Sequence, residues 1–291
     1  MLSKASGCKV NLLLNVLGKR ADGYNELETV MHPVDLCDRL DFERAETGIR
    51  LSCSDNRLPT NSKNLAHRAA ALFLQTIGSN DGIRIHLHKQ IPIAAGLGGG
   101  SGNAAVTLLA LNELFGHPLE QVKLGELAAS LGSDIPFFLQ ENPAIATGRG
   151  EIIAPLAPFP TLSGTYLVLV HPGFGISTPW AYAQLSKFPA AAKGEPGRAQ
   201  NLVSVLQNDL VAGGKEFYNS LEAPALHKYP FLALVQENFR ENGAIGALMS
   251  GSGSTTFALA RSKTEAEKLL EKFKAKFGVN LWTATVKLAP E

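Results

Sequence analysis

Cysteine is scarce in this 291-residue chain, limited to Cys8, Cys37 and Cys53. No two of them form a CxxC pair or a metal-ligand spacing, and an odd number argues against a complete disulfide framework. A reducing, cytoplasmic setting is therefore expected. Charge of neither sign is in excess: Lys and Arg number 27 against 26 for Asp and Glu. No broad field draws in nucleic acid or an anionic membrane, so any anion must be held locally. No apolar run approaches the roughly 18 residues of a membrane span. The stretch Val10 to Leu17 is interrupted by Asn11 and Asn15 and lacks a following cleavage pattern, so it reads as a buried strand rather than a signal peptide. GxxxxGK[ST] is absent, and Ser101 stands where the third glycine of GxGxxG would fall when counting from Gly96. HRD and DFG tripeptides are absent too, which removes the protein-kinase reading. No internal repeat or long low-complexity segment occurs.

What is present is 45% hydrophobic residues, enough for a substantial core in one large domain or two ordinary ones. Lys9 to Leu17, Val30 to Phe42 and Ile49 to Cys53 predict strands, with an exposed turn over Gly18 to Tyr24. Leu65, Ala69, Leu72 and Phe73 recur at helical spacing within Asn64 to Ile77. The alternation over Ile83 to His88 predicts a strand leading through a glycine turn into a helix over Asn103 to Phe115. Prolines between Pro155 and Thr165 mark a domain boundary, followed by a strand over Tyr166 to Val170. Pro189 to Gly197 reads as a surface loop. Ala244 to Met249 and Thr256 to Ala260 predict strands, and Thr264 to Phe277 an amphipathic helix. Strands and helices alternate without a regular βαβ rhythm, which favours α+β over a doubly wound sheet.

Gly96 to Gly102 packs five glycines into seven positions before a helix. Without Cβ atoms the backbone can approach a polyphosphate closely, and the helix terminus adds roughly half a positive charge. A tightly packed turn is the bland alternative, but phosphate binding suits a turn between two well-defined elements better. Gly132-Ser133-Asp134-Ile135-Pro136 offers a reactive carboxylate or a helix N-cap, roles that can coexist. Lys9 is either an ordinary edge lysine or a fixed charge in a cleft. Ser250 to Ser254 is either a hairpin connection or a second backbone cradle.

In combination these pieces resemble the GHMP small-molecule kinases over nearly the whole chain. Pro92 to Ser101 is similar to the family's phosphate loop, and Met249 to Ser254 to its C-terminal glycine motif. Lys9-Val10-Asn11-Leu12, Arg20 to Tyr24, Leu131 to Pro136 and Gly148 to Glu151 resemble one branch of it. That branch phosphorylates the 2-hydroxyl of a cytidine diphosphate ester of methylerythritol in the non-mevalonate route to isoprenoid precursors. Mevalonate and homoserine kinases fit less well.

The resemblance implies a two-domain α+β architecture with the active site in the cleft between the domains. A ribosomal-protein-S5-like domain would span residues 1–155 and a ferredoxin-like domain residues 156–291. It implies ATP and Mg²⁺, with no dedicated metal cage and Ser101 as a hydroxyl neighbour of the ion. Asp134 matches the catalytic aspartate and Lys9 its partner. Asn64, Lys89, Pro92, Ile93, Ala94, Ala95, Gly96, Leu97, Gly98, Gly99, Gly100, Ser101 and Gly102 match the nucleotide side. The second glycine loop is Ser250, Gly251, Ser252 and Gly253. Asn11, Tyr24, Asn25 and Tyr182 match the substrate side, where aromatic rings would stack on the cytosine. Simple packing is the other reading of Tyr182 and Trp180. The expected partner is the small-molecule substrate, without nucleic acid or membrane, in a monomer or weak homodimer. Two positions depart from the family pattern. Asn25 replaces histidine, bearing on base recognition, and Gly102 replaces a serine while keeping its N–H. A kinase of a different small alcohol, or a non-catalytic nucleotide- or metabolite-binding relative, are the alternatives.

Overall fold

The computed structural model describes residues 1–288 and divides into two compact units interleaved along the chain. The first contains Met1–Cys8, Leu36–Ile93 and Gly98–Glu141; the second contains Lys9–Asp35, Ala94–Leu97 and residues 142–288. Strands β1 (Leu2–Lys19) and β2 (Asn25–Ala45) are long enough to contribute to both. A single cut at residue 155 therefore does not separate the compact units. Among the described residues, no helix is long and apolar enough to cross a membrane.

In the first unit, β3 (Ile49–Cys53), α1 (Leu65–Thr76) and β4 (Gly82–His88) form one βαβ step, with β3 and β4 parallel. The Arg39 to Ala45 end of β2 pairs antiparallel with β4. Helices α2 (Gly99–Leu114) and α3 (Gln121–Leu131) also belong to this unit. Its core joins Leu40, Phe42, Ile83 and Ile85 from the strands to Phe73, Leu108 and Leu111 from the helices. Small residues dominate the first turns of α2, where Ala104 and Ala105 are fully buried, so the helix lies close to its neighbours.

In the second unit, β2 pairs antiparallel with β5 (Ala144–Thr147), and β5 with β6 (Ile152–Pro155). Next in sequence come β7 (Tyr166–His171), α4 (Thr178–Gln184), α5 (Pro189–Ala192), α6 (Arg198–Leu206) and α7 (Leu210–Lys215). The two-residue strand β8 (Tyr218–Asn219) pairs parallel with Leu13 and Leu14 of β1. Helices α8 (Glu222–Lys228) and α9 (Pro230–Glu241) follow, then β9 (Gly246–Met249), β10 (Thr256–Ala260), α10 (Lys263–Phe277) and β11 (Trp282–Lys287). Strands β11, β7, β10 and β9 form an antiparallel sheet in that order. Helices α9 and α10 supply Val235, Phe239, Leu269 and Phe273 to the core with Val168 and Val170 of β7.

The segment from Pro189 to Gly197 is more than the surface loop its composition suggests. It opens with the short helix α5, and the backbone N–H of Gly194 donates to the Val16 carbonyl at 2.8 Å. The Asn15 amide donates to the Glu195 carbonyl at 2.8 Å and to Glu28 at 2.9 Å, while Glu28 accepts the Gly197 N–H at 3.0 Å. Buried polar groups on β1 and β2 need partners, and this segment supplies them.

His32 on β2 is 2% exposed, with Nδ1 2.8 Å from the Pro33 carbonyl and its ring against Phe159. Burial pushes its pKa down to about 4, against an ordinary value of 6.5. The folded state thus binds fewer protons than the unfolded chain between those values, so stability is lost as pH falls from 6.5 to 4. The loss is on the order of 3 kcal/mol. Urea unfolding of His32→Gln across this range should show a correspondingly flatter pH dependence than the wild type.

Candidate active site

The first glycine turn shows its organisation in its carbonyls. The Ala95 carbonyl accepts the Thr255 N–H at 3.1 Å, Gly96 accepts the Ser250 hydroxyl at 2.9 Å, and Leu97 accepts the Lys9 N–H at 2.9 Å. With three successive carbonyls engaged, the N–H groups of Gly96 and Leu97 carry no hydrogen bond among the described residues. Ala94, Gly96 and Gly98 all have positive φ, at 53°, 79° and 72°. A Cβ on Gly96 would stand 2.1 Å from the Ser250 carbonyl, so both its backbone conformation and its surroundings exclude a side chain. Gly98 caps α2 in the left-handed region, leaving the N–H groups of Gly99, Gly100 and Ser101 without intrahelical partners. A helix N-terminus with free donors and no acidic side chain in its first turn favours an anion. Pro92 and Ile93 lead into the turn, half-buried.

Gly102 contributes differently from expectation. Its N–H is not available to a ligand, because it donates to the Gly98 carbonyl at 2.8 Å within the helix. A Cβ there would lie 2.6 Å from the Gly7 carbonyl and 3.1 Å from the Ser6 hydroxyl, which itself donates to Asn103 at 2.8 Å. Glycine at 102 lets α2 approach β1, and its buried position serves packing.

The second glycine loop is held as firmly as the first. The Ser250 N–H donates to the Thr255 carbonyl at 2.9 Å, and the Gly253 N–H to the Ser250 carbonyl at 2.9 Å. The Ser252 and Thr178 hydroxyls lie 2.8 Å apart. Within the same unit, Lys9 is 2% exposed and its Nζ donates to Asn11 Oδ1 at 2.5 Å. The Asn11 amide in turn donates to Thr29 Oγ1 at 2.8 Å, and the Asn11 N–H to Ser250 Oγ at 3.4 Å. An edge-lysine reading fails on burial: an ammonium inside β1 persists only with dedicated partners. A Cβ on Gly251 would lie 3.3 Å from Asn11 Oδ1 and 3.4 Å from Lys9 Nζ, which places the loop backbone directly against this pair.

In the first unit, Lys89 donates to Asp38 at 2.6 Å and to the Ile91 carbonyl at 2.5 Å. Asp38, 1% exposed, also accepts the N–H groups of Gln90 and Ile91 at 2.7 and 2.9 Å. The Lys89 ammonium borders Gly99, the first residue of α2. Asn64 is the N-cap of α1: its Oδ1 accepts the Ala66 N–H at 2.9 Å, and its amide donates to the Pro59 carbonyl at 2.9 Å. Asp134 is half-buried in a turn just before the short 3₁₀ segment Pro136–Leu139. Ile135 takes the cap position there without a side-chain bond, so Asp134 is not an N-cap.

Tyr24 is 54% exposed, and the Arg149 guanidinium lies 4.7 Å from its ring centroid. The Tyr24 N–H donates to Asp22 at 3.0 Å, and its carbonyl accepts the Arg20 N–H at 2.8 Å, which shapes the tight turn preceding Asn25. The Tyr24 N–H and the Arg20 guanidinium hold the Asp22 carboxyl below the ordinary carboxylate range, the backbone bond from Tyr24 being the main cause. Tyr182 packs half-buried against the apolar cluster of Leu14, Ile176 and Met249. Trp180 is two residues away, hence on a different face of α4. It lines a cavity of about 610 Å³ with Lys187, Phe188, His227 and Lys228, and Lys228 Nζ lies 4.3 Å from its ring. Thr29, Asp38 and Asn219 escaped sequence reasoning. The only signal was a polar residue inside an apolar run, which does not reveal its partner.

Comparison with known proteins identifies the class. The family model for the GHMP kinase N-terminal domain matches residues 64–142, and that for the C-terminal domain matches residues 190–279. The chain belongs to the GHMP kinase family and has its two-domain α+β fold. It is 39% identical over 269 residues to 4-diphosphocytidyl-2-C-methyl-D-erythritol kinase of Syntrophomonas wolfei, covering 92% of this chain and 93% of that one. Against the enzyme of the same name from Synechococcus sp. strain JA-3-3Ab, identity is 40%, covering 89% of this chain and 84% of that one. A solved 4-(cytidine 5'-diphospho)-2C-methyl-D-erythritol kinase superposes with a TM-score of 0.78 at 36% identity, covering 98% of this chain and 99% of that one.

The steric role of Gly102 yields a direct test. Gly102→Ala gains about 1 kcal/mol of helix propensity but forces backbone apart at a cost of roughly 1–3 kcal/mol. The variant should melt no higher than the wild type, and Gly102→Ser lower; a clear rise for either would contradict the close approach of Gly7.

Proposed function

We propose that the protein transfers the γ-phosphate of ATP to the 2-hydroxyl of 4-diphosphocytidyl-2-C-methyl-D-erythritol, a step of the non-mevalonate route to isoprenoid precursors. The carrying observation is the first glycine turn, whose Ala95, Gly96 and Leu97 carbonyls are bonded away while its donors, and those opening α2, are left for a polyphosphate. The substrate rests on the relatives named above. In this reading the family domains run to about residue 155 and from there to the C-terminus.

Asp134 orients the acceptor hydroxyl and takes its proton as the oxygen attacks phosphorus. A loose transition state demands little basicity of the accepting carboxylate. Lys9 supplies a fixed positive charge for the developing anion, and Asn11 and Thr29 hold its ammonium in place. Gly96 to Ser101 bind the β- and γ-phosphates through backbone N–H groups. Lys89 lends positive potential to the start of α2, while Asn64 acts on the nucleotide through the position of α1. Tyr24 stacks on the cytosine with Asn25 reading its edge, and Tyr182 supplies an apolar wall.

Among the described residues, no group of three or more His, Cys, Asp or Glu side chains is arranged to hold a metal. A hard ion that arrives with the nucleotide and keeps most of its waters needs few protein ligands, and the Ser101 hydroxyl would be its oxygen neighbour. When bound, Mg²⁺ neutralises the phosphate charge. We infer a soluble cytoplasmic enzyme, active as a monomer or weak homodimer. Asn25, in place of the family's histidine, motivates a second reading as a kinase of another alcohol.

A coupled ADP-release assay with the cytidine substrate and Mg-ATP tests the activity, and a panel of alcohols lacking cytidine distinguishes the second reading. Chelating Mg²⁺ should abolish turnover and its return should restore it. Asp134→Asn should leave ATP binding nearly unchanged and lower kcat by about two orders of magnitude or more. Undiminished turnover in that variant would remove Asp134 from the mechanism.

A further inference from the structure

We infer that Asn219 and Glu222 are positioning residues for phosphoryl transfer, setting the second glycine loop and through it the surroundings of Lys9. The inference rests on the kinase reading above and names residues that reading does not use.

Asn219, 2% exposed, occupies the short strand β8. Its amide nitrogen donates to the carbonyls of Met249 and Gly251, each at 2.7 Å, and its Oδ1 accepts the Leu221 N–H at 2.9 Å. Both amide hydrogens are spent on the loop, so Asn219 has no donor for a ligand and can act only through the loop. The Gly251 backbone that it holds is the segment packed against Lys9 Nζ, Asn11 Oδ1 and the Gly96 carbonyl. Displacing the Gly251 carbonyl therefore moves the wall beside the ammonium and the contact with the first glycine turn together.

Glu222, in the first turn of α8, grips the residue that enters the same loop. Its Oε1 accepts the Met249 N–H at 2.7 Å and the Gln236 amide at 2.5 Å. Arg240 completes the brace, donating to Gln236 at 2.9 Å and to the Ala247 carbonyl at 2.8 Å. Among the charged side chains of the described residues, Arg240 of α9 is the one acting on Glu222. Strand β9 presents only backbone and apolar groups, and the basic residues of α8 lie in its last turn. Burial outweighs these donors and pushes the Glu222 carboxyl up to about 7. The ionised form makes the stronger, charge-assisted bond to Met249, so the loop is held best above that pH.

The test compares the wild type with Asn219→Ser and Glu222→Gln, using three readouts: thermal unfolding, dissociation constants for a fluorescent ATP analogue without the alcohol, and steady-state kcat and KM. A positioning role predicts that Asn219→Ser, while still folded, binds the nucleotide roughly tenfold more weakly or loses kcat by a similar factor. For Glu222→Gln, the ratio of wild-type to variant KM for ATP should bend near pH 7. The nucleotide's own titration is common to both proteins and cancels in that ratio. A folded Asn219→Ser with wild-type affinity and kcat would overturn the inference, as would a pH-independent ratio for Glu222→Gln. If Asn219→Ser fails to fold, the Glu222→Gln ratio alone decides. Failure of the wild type itself to release ADP would instead strike the kinase reading, and the nucleotide affinities of the variants would still be measured.

Discussion

The hydroxyl of Ser250 is the hinge of the second unit's arrangement. It donates to the Gly96 carbonyl, 154 residues earlier in the chain, and receives the Asn11 N–H, 239 residues earlier. One small side chain thus ties both glycine loops to the strand carrying Lys9. The constraint is directional, because every carbonyl turned toward Ser250, Thr255 or Lys9 turns a neighbouring N–H the other way. A backbone anion site is made by giving carbonyls partners on the far side, since free carbonyls would repel phosphate.

The same economy explains why so much polarity is tolerated inside β1. Lys9, Asn11 and Asn15 lie fully buried among Val10, Leu12, Leu13 and Val16. Each is bonded onward: Lys9 to Asn11, Asn11 to Thr29, and Asn15 to Glu28 and the Glu195 carbonyl. An unpaired group in such surroundings costs more than its bond returns, so these residues specify register as well as chemistry. A one-residue slip of β1 would break the bonds of Asn11 to Thr29 and of Asn15 to Glu28 at once.

Much of this architecture was legible before any coordinates. The apolar runs of β1, β2 and β7 and the helical spacing of α1, α2 and α10 all correspond to observed elements. The short strands β5, β6 and β11 and helix α3 were not anticipated; the strands have four to six residues and little periodicity to display. The segment after Pro189 misled because alanine, glycine and proline read as a loop, whereas the polar groups of Asn15 and Glu28 recruit it as a partner. Gly102 misled in the same way. Its place in a glycine-rich motif suggested a ligand contact, and only its neighbours Gly7 and Ser6 disclose a packing role.

By itself the sequence determined the family, the glycine turn before a helix, and the candidates Lys9 and Asp134. These depend on residue type and local order, which a chain displays directly. Tertiary structure alone decided that Lys9 is buried and held by Asn11, that Asn64 caps α1, and that Ser250, Asn219 and Glu222 hold the loops in place. Lys9 and Asn64 bond to near neighbours in sequence, but the Ser250, Asn219 and Glu222 pairings join residues far apart in the chain. Hydrogen bonds of that range leave no periodic trace, because either partner by itself is only a polar residue in an apolar run.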